Sequence, residues 1–421
     1  DAFVVKIVDT PNLTTPPIIL LPGIMGSKLA NAPTCGARWE GEVWPNPDAL
    51  HDPRGLYSFA LGSLILKTEG TGPANPCDQI VPTDVLGGYH VAGFLYTDVY
   101  GDFVAELSKT HTVYTFPFDW RSDLQTTAAS LDTTVNAVRA AHNGSDVILV
   151  GHSMGGLLAR TYVSVQERAS KVDRVITVGT PYWGAPVMAQ HMRDGGMGNW
   201  IIDLGTDNDT MRQVVRNSPG AMQLLPSDAY FSAGSPAPGD RGYFQVDDRR
   251  WQTLDATNGY FEAAGQNIGL LNQARSFHTD MDNVADFAEY VPYYVLYANG
   301  VDTPSLILEH SSGFWGLGGP WWEAVRLQKG DGTVPALSAN FGGQGASSPV
   351  VRCSYASGML NHMELLSENN VIADVVRIAS GLAPSYCQPL SPFSMSEQPT
   401  ADAQAAGGGP RQIQVLGEAV L

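Results

Sequence analysis

Short apolar runs alternate with helix-like segments through the first half of the chain. The runs are almost wholly apolar, as is typical of strands that a parallel sheet buries on both faces, and they lie at 18–21, 113–116, 147–150 and 175–178. The segments between them repeat apolar residues every three or four positions and predict helices at 99–109, 124–142 and 154–168. Because alternating strands and helices indicate βαβ units, the sequence predicts an α/β fold with a mostly parallel central sheet and helices on both faces.

Composition divides the chain into one core and several flanking or inserted parts. Pro, Gly and Thr mark the irregular segments, and polar low-complexity sequence marks the end of the chain. The predicted units are an N-terminal extension (1–16), a core domain (17–388), a disulfide-closed excursion within it (30–92), an inserted cap (183–290), and a linker with the start of a further segment (389–421). After the cap, a strand at 293–297 and a last helix over 363–380 are expected to complete the core.

Residues 151–155 have the sequence Gly-His-Ser-Met-Gly and lie between a predicted strand and a predicted helix. In this context the glycines leave room for a tight, strained turn that exposes the serine as a nucleophile. A serine nucleophile needs a general base and an acid that orients the base. Ser153 is therefore predicted to be the nucleophile, and the N–H of Met154, at the start of the helix, is predicted to stabilise an oxyanion.

The partners of this serine follow it in the chain order serine, acid, histidine. Asp331 lies in a glycine-flanked loop, and His362 lies just before the last predicted helix. Asp331 is predicted to orient His362, which as general base would take the proton of Ser153. Asp302, directly after a strand, is the alternative acid, and His310 is a weaker alternative base because it precedes Asp331.

A second oxyanion donor is predicted in the loop that follows the strand at 18–21. The Pro-Gly-Ile-Met-Gly-Ser sequence of this loop contains Ile24, and an early strand-to-helix loop supplies such a donor in sites of this kind. The backbone N–H of Ile24 is therefore the candidate, with no chemical role for its side chain.

Charge and cysteine content narrow the partners and the compartment. The 421 residues carry 24 Lys and Arg against 42 Asp and Glu, a net charge of −18, which argues against a nucleic-acid partner and against electrostatic recruitment to anionic lipid. No apolar run is long enough for a transmembrane helix, and no metal-ligand cluster is evident, so we expect no cofactor. The four cysteines fall into two pairs of sequence neighbours, which predict the disulfides Cys35–Cys77 and Cys353–Cys387. Disulfides indicate a secreted or extracytoplasmic protein, here expected to be bacterial.

Six motifs resemble, in order, those of the lecithin:cholesterol acyltransferase family, and the resemblance extends over roughly residues 17–383. The motifs lie at 22–27, 118–121 (Phe-Asp-Trp-Arg), 151–156, 179–181 (Gly-Thr-Pro), 330–334 and 361–362. The resemblance implies an α/β-hydrolase fold and a glycerophospholipid or similar ester as acyl donor. The family includes lysosomal phospholipase A2 and phospholipid:diacylglycerol acyltransferases, but its lid sequences are not recognisable in 183–290. The Asp119-Trp120-Arg121 motif is interpreted as structural, bracing the core below the site.

Together these features predict a serine-dependent lipid acyl-ester hydrolase or O-acyltransferase that works through an acyl-enzyme on a lipid or other ester. The alternative is a triacylglycerol lipase or a general carboxylesterase, and a third hypothesis is a hydrolase-like protein that binds without catalysis. Trp44, Phe59 and Trp315 belong to two apolar clusters, one between Cys35 and Cys77 and one before Asp331. These clusters either pack on the core or line the acyl pocket and contact lipid transiently.

Overall fold

The computed structural model describes most of the core and part of the cap. The described residues are 5–6, 15–36, 39–45, 60–91, 95–195, 208–233, 242–247, 249–251, 253–282, 290–311, 321–341, 350–356 and 360–389. Phe59, Trp315 and everything after residue 389 therefore lie outside the described residues.

Strands and helices alternate along the described chain. The strands are β1 (Val5–Lys6), β2 (Ile18–Leu21), β3 (Ser27–Asn31), β4 (Gly41–Trp44), β5 (Ile80–Val85), β6 (Gly88–Val91), β7 (Leu95–Asp98), β8 (Val113–Thr115), β9 (Val147–His152), β10 (Val172–Val178), β11 (Phe244–Val246), β12 (Arg249–Trp251), β13 (Tyr293–Ala298), β14 (Val301–His310), β15 (Trp321–Gly330), β16 (Val350–Tyr355) and β17 (Gln388–Pro389). The helices are α1 (Gly101–Leu107), α2 (Leu124–Ala141), α3 (Met154–Val163), α4 (Gln166–Ala169), α5 (Val187–Asp194), α6 (Asn208–Arg216), α7 (Pro219–Met222), α8 (Asp228–Ala233), α9 (Leu254–Ala263), α10 (Ile268–Met281), α11 (Ala336–Ala339) and α12 (Asn369–Ala379), with a 3-10 turn at Glu364–Leu366.

The central sheet has the strand order β1-β8-β2-β9-β10-β13-β16-β17. Its six inner strands are parallel to one another, and β1 and β17 join the two edges in antiparallel orientation. Strand β9, which ends just before Ser153, lies between β2 and β10. The serine is thus placed at the carboxyl end of an inner strand, where open α/β sheets usually hold their ligands.

Side chains of the inner strands alternate between two hydrophobic cores. Ile19 and Leu149 lie in the core that includes residues of α2 and α3, while Ile18 and Ile148 lie in the core that includes residues of α1 and α12. Neighbouring strand residues point to opposite faces, so a strand that is apolar throughout is buried on both. The predicted α/β fold, with a mostly parallel sheet covered by helices on both faces, is confirmed.

The excursion at 30–92 contains more regular structure than its composition indicated. Strands β4, β3 and β5 form an antiparallel sheet in that order, and β6 pairs with β7 in a two-stranded ribbon. The interpretation as a departure from the central sheet is compatible with this arrangement, since none of these strands joins that sheet. The excursion is therefore a small layer of its own.

A second sheet that sequence analysis did not predict connects the cap with the segment before Asp331. Its order is β12-β11-β14-β15, with β11 and β12 from the cap and a long antiparallel hairpin from β14 and β15. Helices α5 to α10 make up the rest of the described cap. Because β15 ends at Gly330, this sheet carries the loop of Asp331.

Several predicted boundaries need correction. The helix expected at 154–168 is divided into α3 and α4, and the last helix, expected over 363–380, begins only at Asn369 after the 3-10 turn. The N-terminal extension contributes β1, which pairs with β8. By contrast, α2 matches its prediction within one residue, because the Asp123 carboxylate accepts a hydrogen bond from the Thr126 N–H at 2.8 Å and caps the helix.

Both predicted disulfides are present in the structure. Cys35 is bonded to Cys77, and Cys353 in β16 is bonded to Cys387 next to β17. The pairings suit an oxidising compartment. Within the described residues, no helix has the length and apolar character needed to cross a membrane.

Candidate active site

Ser153 lies in the turn between β9 and α3. Its N–H donates to the carbonyl oxygen of Val178 in the neighbouring strand β10 at 2.9 Å, and the side chain is almost fully buried. The backbone of Ser153 has φ 52° and ψ −122°. A non-glycine residue in such a conformation costs about 1–3 kcal/mol and is found mostly at functional sites. The strained turn that the motif predicted is thus present.

The motif glycines are required by the close approach of α3 to the sheet. A Cβ atom at Gly155 would lie 2.1 Å from the carbonyl oxygen of Leu21 in β2. A Cβ atom at Gly151 would lie 2.6 Å from the carbonyl oxygen of Gly155. Both distances are far below van der Waals contact, so any larger residue would displace the helix and, with it, Ser153.

A chain of two short hydrogen bonds connects the three residues predicted as a triad. His362 Nε2 lies 2.9 Å from Ser153 Oγ, and His362 Nδ1 lies 2.7 Å from Asp331 Oδ2. Ser153 follows β9 and His362 follows β16, both in the central sheet, while Asp331 follows β15 in the second sheet. The structure therefore brings together residues that lie far apart in the sequence.

The carboxylate of Asp331 is held on both oxygens. Oδ1 accepts hydrogen bonds from the N–H groups of Val334 at 2.6 Å and Thr333 at 3.0 Å, and only 2% of the residue is exposed. Oδ2 is left to accept the Nδ1 proton of His362. A neutral imidazole with its proton on Nδ1 presents Nε2 as an acceptor, which is the arrangement a serine base needs.

The alternative acid and base lie elsewhere. Asp302 pairs with Lys329 at 2.8 Å, and 63% of its side chain is exposed. His310 Nε2 lies 3.1 Å from Glu323 Oε2, across the β14–β15 hairpin. Both residues belong to the second sheet, and neither partner is a residue of the Ser153 turn.

The turn that contains Ile24 lies directly beside Ser153. Gly26 N–H donates to the Gly23 carbonyl oxygen at 3.0 Å, which closes a β-turn with Ile24 and Met25 at its centre, and Met25 has φ 62°. A Cβ atom at Gly23 would lie only 3.0 Å from the Cβ of Ser153. Met154 is the first residue of α3, and the first N–H groups of a helix have no intrahelical acceptor. The oxyanion role of Ile24 and Met154 stays a prediction that this placement supports.

Of the residues proposed for lipid contact, only Trp44 has a described side chain. It is 2% exposed, its Nε1 donates to the Met25 carbonyl oxygen at 2.8 Å, and its ring meets the edge of Trp120. Trp44 therefore packs in the core next to the Ile24 turn, and its burial favours packing over contact with a lipid surface at the rim. A role of Trp44 in lining the acyl pocket stays a prediction. Phe59 and Trp315 lie outside the described residues.

The Asp119-Trp120-Arg121 motif braces the excursion against the core. The Arg121 guanidinium makes two hydrogen bonds to the Asp119 carboxylate, at 2.6 and 2.8 Å, and Nη1 donates to the Leu64 carbonyl oxygen at 2.6 Å. Arg121 is 2% exposed. The structural interpretation of this motif agrees with these contacts.

Two residues beside the site were not identified from the sequence as parts of it. Gly179, with φ 60°, faces the His–Asp pair: a Cβ atom there would lie 3.3 Å from both Asp331 Oδ2 and His362 Cε1. Gly179 is the first residue of the Gly-Thr-Pro motif, which was the sequence signal that could have identified it. Tyr100 contacts the Gly23 N–H through its hydroxyl at 2.7 Å, and no local pattern distinguishes it from an ordinary helix-flanking residue.

Metal binding finds no support among the described residues. No group of three or more His, Cys, Asp or Glu side chains there lies close enough to hold an ion.

Comparison with known proteins shows the fold class and a resemblance to one family. The fold is that of the α/β hydrolases: a chain in the crystal structure of the Tle4–Tli4 complex aligns with a TM-score of 0.55 at 16% identity, over 87% of this chain and 99% of that one. At this identity the likeness shows the fold alone. The hydrogen-bonded serine, histidine and aspartate have the geometry of a serine-hydrolase triad.

The lecithin:cholesterol acyltransferase family model matches residues 96–295, which include Ser153. Phosphatidylcholine-sterol acyltransferase of Rattus norvegicus is 24% identical over 420 residues, covering 92% of this chain and 90% of the relative. Lecithin-cholesterol acyltransferase-like 4 of Arabidopsis thaliana is 25% identical over 234 residues, covering 51% of this chain but only 43% of the relative, less than half its length. The predicted resemblance to the lecithin:cholesterol acyltransferase family is confirmed.

Proposed function

We propose that this chain is a serine-dependent lipid acyl-ester hydrolase or O-acyltransferase that works through an acyl-enzyme. The observation that carries the proposal is the hydrogen-bonded chain from Ser153 Oγ through His362 to Asp331. Ser153 lies on a strained turn between an inner parallel strand and a helix N-terminus, which holds its hydroxyl next to the base His362 and in position to attack a carbonyl.

In the first half of the reaction, Ser153 Oγ attacks the ester carbonyl carbon while His362 Nε2 takes the hydroxyl proton. Asp331 stabilises the resulting imidazolium and holds it in orientation without taking the proton itself. The tetrahedral oxyanion is stabilised by the N–H groups of Ile24 and Met154, whose donors cost little reorganisation because the turn and the helix are already formed. His362 then returns its proton to the leaving alcohol, and an ester of Ser153 remains.

In the second half, an acceptor hydroxyl attacks the acyl-enzyme. His362 takes the proton of that hydroxyl, the second tetrahedral oxyanion collapses, and the proton returns to Ser153 Oγ. Water as acceptor gives a free fatty acid, and an alcohol gives a new ester. Both outcomes use one acyl-enzyme, so the same triad serves hydrolysis and transfer.

The lipid nature of the substrate is supported by the relatives. The rat relative is named for phosphatidylcholine and a sterol, so a glycerophospholipid is the favoured acyl donor. The alternative is a triacylglycerol lipase or general carboxylesterase. A panel of phospholipid, triacylglycerol and short p-nitrophenyl esters distinguishes them: release of fatty acid from phospholipid at the highest kcat/KM supports the first, and preference for either other ester supports the alternative.

The nucleophile is tested by Ser153→Ala. We expect at least a roughly thousandfold loss of ester turnover in a folded protein, because members of a triad act as one unit. Ser170→Ala is the matched control, since Ser170 is an exposed serine at the end of α4 whose hydroxyl bonds the Glu167 carbonyl. Wild type and control should be labelled by an organophosphonate ester and Ser153→Ala should not. Turnover by Ser153→Ala near the wild-type value would exclude this mechanism, and absence of labelling in the wild type would favour a non-catalytic binding protein.

We also propose that the protein works in a secreted or extracytoplasmic setting, supported by its two disulfides; a bacterial source is part of this proposal.

Any lipid contact would be apolar rather than electrostatic, given the net charge of −18. Phe59→Ser should then lower activity on lipid aggregates more than on soluble esters. Equal losses on both substrates would favour packing.

A further inference from the structure

A line of buried polar contacts runs from the Ile24 turn to the backbone of His362. The Gly23 N–H donates to the Tyr100 hydroxyl at 2.7 Å, and this hydroxyl lies 2.9 Å from His152 Nδ1. His152 Nε2 in turn lies 3.4 Å from the carbonyl oxygen of His362. Tyr100 is 1% exposed and His152 is 2% exposed. We call these contacts the Tyr100–His152 bridge.

The direction of the hydrogen bonds in the bridge follows from its two ends. Burial, together with the neighbouring His362, holds the pKa of His152 well below its usual value, so the ring is neutral and carries one N–H. The Tyr100 oxygen already accepts from Gly23, and its own proton is available for Nδ1 of His152. The imidazole proton then lies on Nε2, where it donates to the His362 carbonyl oxygen.

The other neutral tautomer of His152 would lose the hydrogen bond to the His362 carbonyl oxygen. With the proton on Nδ1, the unprotonated Nε2 would face the carbonyl oxygen of His362, and two acceptors would oppose each other. Burial raises the pKa of the Tyr100 hydroxyl, so Tyr100 remains a neutral donor. One arrangement of protons therefore satisfies every group of the bridge.

We propose that Tyr100 and His152 are positioning residues for the reaction, which together fix the Ile24 turn and the backbone of His362 relative to Ser153. The inference rests on the proposed function. Neither residue touches the substrate in this proposal; each acts through a backbone group that the reaction uses.

The bridge connects two loops of the site that follow different strands of the central sheet: Gly23 follows β2 and His362 follows β16. Gly23 precedes Ile24, whose N–H is the proposed oxyanion donor, and His362 is the base. Asp331 holds the imidazole of His362 from one side, and His152 holds its carbonyl from the other. A displacement of a reacting group by about 1 Å can cost roughly a hundredfold in rate. Because Tyr100 and His152 hold both the Ile24 turn and the backbone of His362, losing either side chain should lower kcat.

The neutrality of His152 also matters for the intermediate. The rings of His152 and His362 have centroids 4.9 Å apart. When His362 becomes an imidazolium, a second positive charge at this distance would oppose it. The bridge supplies a donor to the His362 backbone without adding such a charge.

A second buried Tyr–His pair provides a matched control. Tyr114 in β8 has its hydroxyl 3.1 Å from His142 Nε2, and its ring lies 5.7 Å from that of His142, the same separation as in the Tyr100–His152 pair. His142 follows α2 and precedes the amino end of β9, whereas Ser153 follows the carboxyl end of the same strand. A Tyr114→Phe variant loses the same chemistry without altering the Ile24 turn or His362.

The test compares Tyr100→Phe with Tyr114→Phe on a soluble p-nitrophenyl ester, with active sites counted by organophosphonate titration. We expect kcat of Tyr100→Phe to fall about tenfold to a hundredfold, with KM within about twofold and with a thermal midpoint close to that of Tyr114→Phe. Tyr114→Phe should keep the wild-type kcat. Equal kcat per active site in the two variants would overturn the proposal.

A second variant keeps the test decisive if Tyr100→Phe does not fold. His152→Gln retains an amide donor that can reach the His362 carbonyl but loses the Nδ1 acceptor of Tyr100, so we expect a kcat loss of about tenfold or more. If both single variants fold, the double variant Tyr100→Phe/His152→Gln should be no slower than the slower single variant, because the two residues act in series. Losses that multiply fully would show independent roles and overturn the bridge.

A spectroscopic signature reports the bridge directly. In 15N spectra of histidine side chains, assigned with His152→Gln, wild-type His152 should be a neutral Nε2–H tautomer, and Tyr100→Phe should shift it toward Nδ1–H. An Nδ1–H tautomer in the wild type would contradict the proposal. Failure of the proposed function has a different outcome: wild type would then not be labelled at Ser153, or Ser153→Ala would remain active, whatever the Tyr100 variant does.

Discussion

The Arg121 guanidinium offers a direct test of whether the Asp-Trp-Arg motif stabilises the fold rather than the reaction. Arg121→Ala removes both hydrogen bonds to Asp119 and the one to the Leu64 carbonyl oxygen. The Asp119 carboxylate, about one-fifth exposed, and the Leu64 carbonyl would lose their charged partner. We expect lower stability with an unchanged kcat per active site.

The magnitude follows from the burial of the pair. A hydrogen bond to a charged group is worth about 1.5–3 kcal/mol, but three bonds from one guanidinium are not additive. Removing one partner of a buried ion pair typically costs about 3–5 kcal/mol, and we expect that range here. With an unfolding entropy of about 2.1 cal/mol/K per residue, a chain of this length should lose roughly 3–6 °C in thermal midpoint. Arg121→Lys should recover part of the loss, because lysine cannot make the bidentate contact.

Thermal and urea unfolding, together with kcat on a soluble ester, check this prediction. Arg275→Ala is the control, because Arg275 pairs with Asp228 and Asp255 on the surface with 38% of its side chain exposed, and exposed pairs contribute at most about 1 kcal/mol. Two results would refute the reasoning: a loss for Arg121→Ala no larger than for Arg275→Ala, or a selective fall in kcat at unchanged stability.

Two further predictions concern the covalent cross-links and the end of the chain. The double variants Cys35→Ala/Cys77→Ala and Cys353→Ala/Cys387→Ala should each lose about 2–5 kcal/mol of unfolding free energy, by similar amounts because the bonded cysteines are 42 and 34 residues apart; urea unfolding without reductant measures this, and an unchanged midpoint would contradict it. Deleting the residues after 390 should leave the specific activity on a soluble ester unchanged, since β17 and the Cys353–Cys387 bond are retained; a large loss would show that the deleted segment docks on the core.

Local signals in the sequence predicted the nucleophile and much of the central sheet. The Ser153 turn requires a buried strand before it and small residues beside it. Residues 151–155 and the preceding apolar strand were therefore enough to predict the nucleophile. The strands at 147–150 and 175–178 were recognised because burial on both faces makes every position apolar. The partners of Ser153 required chain order in addition, because Asp331 and His362 approach it only in the folded protein.

Features that depend on distant pairing were not predictable in the same way. The β14–β15 hairpin contains Pro304, which argues against a continuous strand, and the structure accommodates it with shifts of register between Pro304 and Ile307. The contact of Tyr100 with Gly23 joins positions 77 residues apart. Trp44 could have faced lipid or core, since an aromatic residue suits both, and only its packing on Trp120 decides for the core.

A buried hydroxyl in the second sheet also contacts the loop of Asp331. Thr303 in β14 is fully buried, and its Oγ1 accepts a hydrogen bond from the Gly332 N–H at 2.8 Å while donating to the Val301 carbonyl oxygen at 3.1 Å. This contact fixes the loop of Asp331 to the hairpin, whereas Ser153 and His362 are fixed to the central sheet. The His362–Asp331 distance of 2.7 Å therefore depends on the position of the second sheet relative to the central sheet.

Thr303→Val keeps the shape of the side chain but removes the acceptor of the Gly332 N–H, which should cost about 1–3 kcal/mol and let the Asp331 loop shift. Because a misoriented acid weakens His362 as a base, we expect kcat on a soluble ester to fall roughly tenfold, while Thr303→Ser stays near the wild-type value. Thr257→Val is the control, since the fully buried hydroxyl of Thr257 donates to the carbonyl oxygen of Thr253, the N-cap of α9. If Thr303→Val and Thr257→Val had the same kcat, the acid would be positioned by the backbone contacts to Oδ1 alone, and the hydroxyl of Thr303 would serve stability rather than alignment.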